Sequence, residues 1–242
     1  MFEQENNFIS RIHNYCDRWC ERCAFTSRCR VYAIEQETDD EEREVDSEAF
    51  WRNLQNMFVR AKEMLEQTAK ERGINLNAVS DERYAEHQAR QDETLRREDL
   101  TRLAERYHAE VKRVLEVKSE WIIFSALDEE IQEEMLGIIY WYQPFIAAKI
   151  RRGLSGILSC DGDTDEEELN DSQSDANGSI KIALIAVERS LMAWTALTTK
   201  ENYAQIESPV ALLKTIRRKA EEKFTNAREF IRPGFDEVEM VM

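Results

Sequence analysis

Residues 100–121, LTRLAERYHAEVKRVLEVKSEW, place Leu100, Leu103, Tyr107, Val111, Val114 and Trp121 at steps of three, four or seven. That recurrence matches one face of an α-helix and not the alternation of a strand, so the segment reads as a core helix. The same period extends outward in both directions. Phe50, Leu54, Met57, Phe58, Ala61, Met64 and Leu65 form an amphipathic face opened by Ser47 as N-cap, and Gly73 suits the left-handed residue that ends a helix. Asp128, Glu129 and Glu130 begin a further helix that Lys149, Arg151 and Arg152 end, the charge order that complements a helix dipole, with a kink expected at Pro144. Ser179 to Leu197 is strongly apolar and helical. Ser208-Pro209 predicts the start of a last helix running to about Phe230, before Pro233-Gly234.

Only 7 Gly and 3 Pro punctuate 242 residues, too few turns for a sandwich, a barrel or a doubly wound sheet. Neither a dinucleotide-binding glycine motif nor a P-loop is present. The expected fold class is therefore all-α: a helical bundle of five or six helices with a Cys-rich N-terminal helix or loop. The organisation expected is an arm over 1–34, an acidic linker over 35–48, the first part of the bundle over 49–160, a disordered acidic loop over 161–178, the second part over 179–232 and a tail over 233–242. Of positions 80–99, 11 are charged, so that stretch should project into solvent or pack lightly.

The net charge of -16 is concentrated. Residues 35–48 hold nine acids and one Arg, residues 161–178 hold eight acids and no base, and the other 210 residues balance at 32 of each sign. The acidic stretches would repel phosphate backbones, so nucleic acid is a disfavoured partner. Met1 to Asn7 lacks the basic and apolar regions of a signal peptide, and the longest apolar stretch, Met135 to Ile150, is interrupted by Gln143, Pro144 and Lys149. A cytoplasmic protein without a membrane span is expected, in which clustered cysteines point to metal before disulfide.

Four of the five cysteines, Cys16, Cys20, Cys23 and Cys29, fall within fourteen residues as C-x3-C-x2-C-x5-C. Phe8, Ile12, Tyr15, Cys16, Trp19, Cys20 and Cys23 recur at spacings of three and four, which predicts a helix running to about Ala24. Zinc at roughly 2.3 Å from each sulfur holds thiolates within about 4 Å of one another. An unbroken helix would separate Cys16 from Cys23 by about 10 Å along its axis. A single ion would require the helix to break, whereas an iron-sulfur cluster spans more, so a 4Fe-4S cluster leads and zinc follows. Buried core thiols are the plain alternative. Arg11, Arg18, Arg22, Arg28 and Arg30 give residues 8–33 a local excess of three positive charges, which would offset a thiolate cluster or simply form a solvated face. His13, three residues before Cys16, reads as a lone surface His before a spare ligand. The arm could pack on its own bundle, on a second subunit or on another protein.

The run Cys20-Glu-Arg-Cys23-Ala-Phe25-Thr-Ser-Arg-Cys29 resembles the C-x2-C-x5-C ligand loop of iron-sulfur staples in some recombination and CRISPR-associated nucleases, with Phe25 as the aromatic that follows the second Cys. The resemblance covers ten residues and implies a cluster only. The carboxylates and Lys of those nucleases have no counterpart, and Cys16 would replace their usually distant first ligand. Cys16-x3-Cys20-x2-Cys23 also resembles the radical SAM motif, but Arg22 replaces the aromatic before the last Cys and a fourth Cys closes the open iron site.

Other candidates are centred on His108. Glu105-x2-His108 has the spacing of half a di-iron carboxylate site, and Arg102-x5-His108 resembles the R-x4-6-H spacing of helical HEPN-type ribonucleases, with Leu103 in place of their usual polar residue. Either would make the protein a helical enzyme, against a leading expectation of a metal-binding protein without catalysis; a metal-free interaction scaffold is the third alternative. Asp161-x-Asp163-x-Asp165 begins like a calcium loop, but Glu166 and Ser172 stand where Gly and Glu are needed. Tyr140-Trp141-Tyr142-Gln143-Pro144-Phe145 reads as core packing before ligand pocket, and Lys214 to Arg232 carries seven bases against three acids.

Overall fold

The computed structural model describes residues 7–37, 44–76, 81–159 and 162–237. The protein is all-helical, and among the described residues no β-strand forms; Leu158 and Thr164 make one isolated antiparallel bridge. The helices are α1 (Arg30–Glu37), α2 (Glu48–Glu71), α3 (Asp81–Arg97), α4 (Asp99–Glu116), α5 (Lys118–Trp121), α6 (Glu129–Ile157), α7 (Glu166–Asn170), α8 (Asp175–Leu197) and α9 (Tyr203–Lys223). The chain divides into two compact units, one of Met1–His13 with Trp19–His87 and one of Asn14–Arg18 with Gln88–Met242.

In the second unit, α4, α6, α8 and α9 close a ring, each packing against the next and α9 returning to α4. Four long helices thus build this bundle, where the periodicity predicts five or six. The apolar stripe from 100 to 121 buries as its spacing demands, although the backbone turns at Val117 between α4 and α5. Tyr107, Val111, Val114 and Trp121 are buried, and Trp121 packs on Trp194 of α8 with ring centroids 6.1 Å apart. Its indole N–H donates to the Val114 carbonyl at 3.0 Å, and the Trp194 N–H donates to the Tyr107 hydroxyl at 3.3 Å, so the two buried indoles carry no orphan donor. At Gly153 α6 and α8 come close: an added Cβ would lie 2.6 Å from Ile180 Cγ1 and 3.2 Å from the Ala176 carbonyl oxygen, so a side chain there would force α8 to shift.

Several local expectations change. The helix predicted from Phe8 to Ala24 is instead a series of 3-10 turns at Ile12–Asn14, Cys20–Arg22 and Thr26–Arg28. Arg11 and Arg18 adopt left-handed φ values of 61° and 60°, which a right-handed helix cannot accommodate. The period nonetheless marks the buried side chains, for Ile12 and Tyr15 are 2% and 1% exposed. Tertiary anchoring overrides helix propensity here: Tyr15 packs on Phe230 with tilted rings 4.5 Å apart and donates its hydroxyl to Asp175 at 2.9 Å.

Residues 162–178, expected as part of a disordered loop, hold the short helix α7 and the first turn of α8, joined by turns. Asp165 caps α7 by accepting from the Glu168 N–H at 3.0 Å, and Ser174 caps α8 by accepting from Asn177. Acidic caps at helix N-termini, and burial of Ala176, Asn177 and Gly178, give this polar sequence its order. Helix α9 begins at Tyr203 and carries Pro209 within it, five residues before Ser208, because buried Asn202 organises the turn by accepting from Thr199 N–H at 2.7 Å and donating to the Leu197 carbonyl at 2.8 Å. It ends at Lys223, with a 3-10 turn at Ala227–Glu229. Helix α6 runs through Pro144 without interruption.

In the first unit, Ser47 caps α2 as its sequence predicts, accepting from Phe50 N–H at 3.0 Å. On its amphipathic face Met57, Phe58, Ala61, Met64 and Leu65 stay exposed, Phe50 and Leu54 are half-buried, and Ala69 is the helix's one buried residue. Of the acidic linker over 35–48, residues 38–43 lie outside the described residues, as do Met1–Asn6 of the expected signal-free start, Asp161 and 238–242 of the tail. No helix among the described residues is long and apolar enough to cross a membrane.

Candidate metal-binding segment

Cys16 belongs to the second unit, in the stretch Asn14–Arg18. Three residues of α6 and one of α8 hold this stretch. The buried Lys149 ammonium donates to the Asn14 carbonyl at 2.9 Å, the Trp141 indole donates to the Asp17 carbonyl at 2.9 Å, and the Tyr142 hydroxyl donates to Asp17 Oδ2 at 2.7 Å. Arg189 completes the clamp, its Nη1 pairing with Asp17 Oδ2 at 2.5 Å and also donating to the Tyr142 hydroxyl. Burial, and then the adjacent Asp17 carboxylate, push the Tyr142 phenol up to about 12, so it keeps its proton and acts as donor. Burial also raises the Cys16 thiol, against the opposing pull of the Arg18 backbone N–H and the positive charges of Arg18 and Lys149.

Cys20, Cys23 and Cys29 belong to the first unit. Cys20 opens a 3-10 turn closed by the Cys23 N–H donating to the Cys20 carbonyl at 3.1 Å. The Phe25 N–H then donates to Cys23 Sγ at 3.4 Å. A second turn over Thr26–Arg28 delivers Cys29, whose N–H donates to Thr26 at 3.2 Å and whose carbonyl receives the Ala33 N–H as α1 begins. The Arg28 carbonyl ties the loop back by accepting from Ile9 N–H at 3.0 Å. Chain that turns this often presents side chains and N–H groups in several directions, which one helical face cannot do. All four cysteines are half-buried.

Among the described residues, no group of three or more His, Cys, Asp and Glu side chains stands close enough to hold a metal ion. The structure therefore groups neither the cysteines nor the acids into a formed centre. Arg11, Arg18, Arg22, Arg28 and Arg30 are all exposed, and Arg22 lies over the Trp19 ring at 4.1 Å. His13 is half-buried.

The His108 candidates separate on α4. Glu105 is exposed, and Arg102 points its guanidinium at Asp99 in an ion pair. His108 buries Nδ1 with no hydrogen-bond partner among the described residues, and burial, aided by the Lys112 charge, lowers its pKa. The acidic stretch resembling a calcium loop spends its acids locally: Asp165 caps α7, Asp171 accepts from Gln173 N–H, and Asp175 pairs with Arg152 at 2.6 Å. In the aromatic run, Tyr142 and Phe145 pack at 6.0 Å and Lys149 stands 5.3 Å from the Phe145 ring. Of the seven bases in Lys214 to Arg232, Lys219 and Lys223 pair with Asp99 and Glu98 of the α3–α4 junction, Arg228 with Glu188 and Glu221, Arg218 with Glu222 and Arg232 with Asp236.

Sequence reasoning missed the clamp. Asp17 lies beside Cys16, but its partners Tyr142 and Arg189 are 125 and 172 residues away, and no local pattern announces them. The chain matches no protein-family model, no curated protein and no solved structure.

Proposed function

We propose that this is a metal-binding helical protein in which Cys16, Cys20, Cys23 and Cys29 hold a 4Fe-4S cluster, in a structural, regulatory or electron-transfer role without catalysis of its own. The observation that carries the reading is the run Cys20–Cys29: three thiols spaced along consecutive 3-10 turns, with a backbone N–H aimed at one sulfur. Thiolate is the form that binds metal, and a backbone N–H within reach of a sulfur is a donor that a metal-bound thiolate can accept. The left-handed break at Arg18 removes the axial separation an unbroken helix would impose. That also lifts the geometric objection to zinc, which stands as the second reading. Loading would draw the sulfurs together, the ordinary coupling of metal binding to local folding.

The test is metal content and an ultraviolet-visible spectrum of the full chain purified without oxygen, beside Cys23→Ser and Cys29→Ser. About four iron per chain with a broad visible band that is changed and weakened in the variants is the expected result. One zinc without colour moves the assignment to the second reading. No metal in anaerobic protein overturns both.

A further inference from the structure

We propose that α2 pairs with α2 of a second copy of this chain to form an antiparallel helical dimer. Phe50, Leu54, Met57, Ala61, Met64 and Thr68 follow one another at alternating steps of four and three, the spacing of a helix–helix seam. Trp51, Phe58 and Leu65 run beside it at steps of seven. Such a stripe ordinarily meets a core, yet Trp51, Met57, Phe58, Met64 and Leu65 are 57–70% exposed. Their exposed area is on the order of 600 Å² per copy, at the upper end of the patches that monomers leave open. Joining two such faces would cover about 1,200 Å², the lower edge of what a stable dimer buries.

Charge identifies the occupant. Over Glu48–Glu71 the helix carries four bases, Arg52, Arg60, Lys62 and Lys70, and four acids, Glu48, Glu63, Glu66 and Glu71. A nucleic acid or an anionic membrane would select a basic face, and a basic partner an acidic one. A face whose helix carries equal acids and bases adds no like-charge repulsion of its own when two copies meet. Side-chain sizes then choose the direction. An antiparallel pair centred on Val59 sets Phe50 opposite Thr68, Leu54 opposite Met64 and Met57 opposite Ala61, large against small in the outer and inner layers. A parallel pair would oppose each residue to itself, crowding Phe50 and leaving Ala61 and Thr68 underfilled. The same antiparallel register brings Phe58 beside its own symmetry mate and Trp51 beside Leu65.

Sedimentation velocity on the full chain from 1 to 100 μM should show a concentration-dependent dimer that strengthens as salt screens the net charge of the two copies. Met57→Glu with Met64→Glu should weaken it at least tenfold while far-ultraviolet circular dichroism is unchanged. Should that pair disturb the helix, Met57→Gln with Met64→Gln must give the same weakening. A photo-crosslinking benzoylphenylalanine in place of Phe58 should join tryptic peptides from the 52–66 region of both copies. A monomer at 100 μM in 0.5 M salt, a dimer indifferent to the substitutions, or intermolecular crosslinks confined to other regions would each overturn the proposal.

Discussion

Gly178→Ala sets two effects of opposite sign against each other, and the structure decides which wins. Gly178 lies within α8, where Ala is favoured over Gly by about 1 kcal/mol from helix propensity alone. The added methyl would stand 2.5 Å from Tyr15 Cε1 and 2.7 Å from Phe230 Cε2 and Cζ, roughly 1 Å inside ordinary carbon contact. Neither ring can swing away cheaply. Tyr15 is 1% exposed with its hydroxyl on Asp175, and Phe230 is 3% exposed with its carbonyl accepting from Lys181. Overpacking of this kind costs about 1–3 kcal/mol, and at this severity the upper part of that range applies. The net expectation is a loss of about 1–2 kcal/mol, or roughly 2–8 °C in Tm for a domain of this size. Gly137→Ala in α6 is the control, since its Cβ would meet nothing within 4 Å. It should gain about 0.5–1 kcal/mol. Thermal melts at 222 nm and urea midpoints on both variants provide the comparison. Phe230→Leu in the Gly178→Ala background should return part of the loss, as a positive coupling in a double-mutant cycle. If Gly178→Ala melts with or above Gly137→Ala, the contact of the 14–18 stretch and the chain near 230 with α8 is not as described.

The clamp on Asp17 gives a second test: Asp17→Ala removes the acceptor of Tyr142 and Arg189 and should cost about 1–2 kcal/mol in urea, with Asp17→Asn losing less because one acceptor oxygen remains. In anaerobic preparations the same Ala variant should lower iron occupancy if Cys16 must be held in place to ligate. Asp236 provides a pH test. Burial of its carboxyl is outweighed by hydrogen bonds from Arg232 and Lys181, which hold its pKa well below the usual carboxylate value. The contribution is therefore complete above the unfolded value of about 4 and declines as pH falls toward the folded one. Asp236→Asn should cost about 2–4 kcal/mol at pH 7, with the gap from wild type narrowing steadily in urea titrations below pH 4; a gap constant to pH 2 would refute the ion-pair account.

Periodicity located which residues are buried better than it located backbone form. From Leu100 to Leu115 the two agree, because a helical stripe packed against α6 and α9 is satisfied by regular geometry. Between Phe8 and Cys23 they part. Ile12 and Tyr15 are as buried as a helical stripe implies, yet left-handed Arg11 and Arg18 break the helix, and the compensation comes from residues far along the chain, Phe230, Asp175, Tyr142 and Arg189. A local window contains no trace of such partners. The acidic stretch from 162 to 178 misleads in the opposite sense: composition marks it as unable to fold, but its acids sit as caps and ion-pair partners, Asp165 on α7 and Asp175 on Arg152, where negative charge stabilises helix starts.

That divergence bears on the cysteines. The distance argument that ranks a cluster above a single ion assumes Cys16 and Cys23 on one continuous helix, and Arg18 breaks that assumption. What remains in favour of a cluster is the ligand spacing from Cys20 to Cys29 and the crowding of four thiols into fourteen residues. The two metals then differ in what the segment must do. Zinc needs four sulfurs converging on one point within about 4 Å of each other, so substituting any one ligand should release most of the metal. A cubane spreads its ligands over separate irons, so Cys16→Ser should leave a three-iron species with altered absorption instead of an apoprotein. Iron and sulfide content of anaerobic Cys16→Ser, read beside Cys23→Ser, therefore discriminates the two: graded loss with changed colour argues for the cluster, and equal all-or-none loss of a colourless metal argues for zinc.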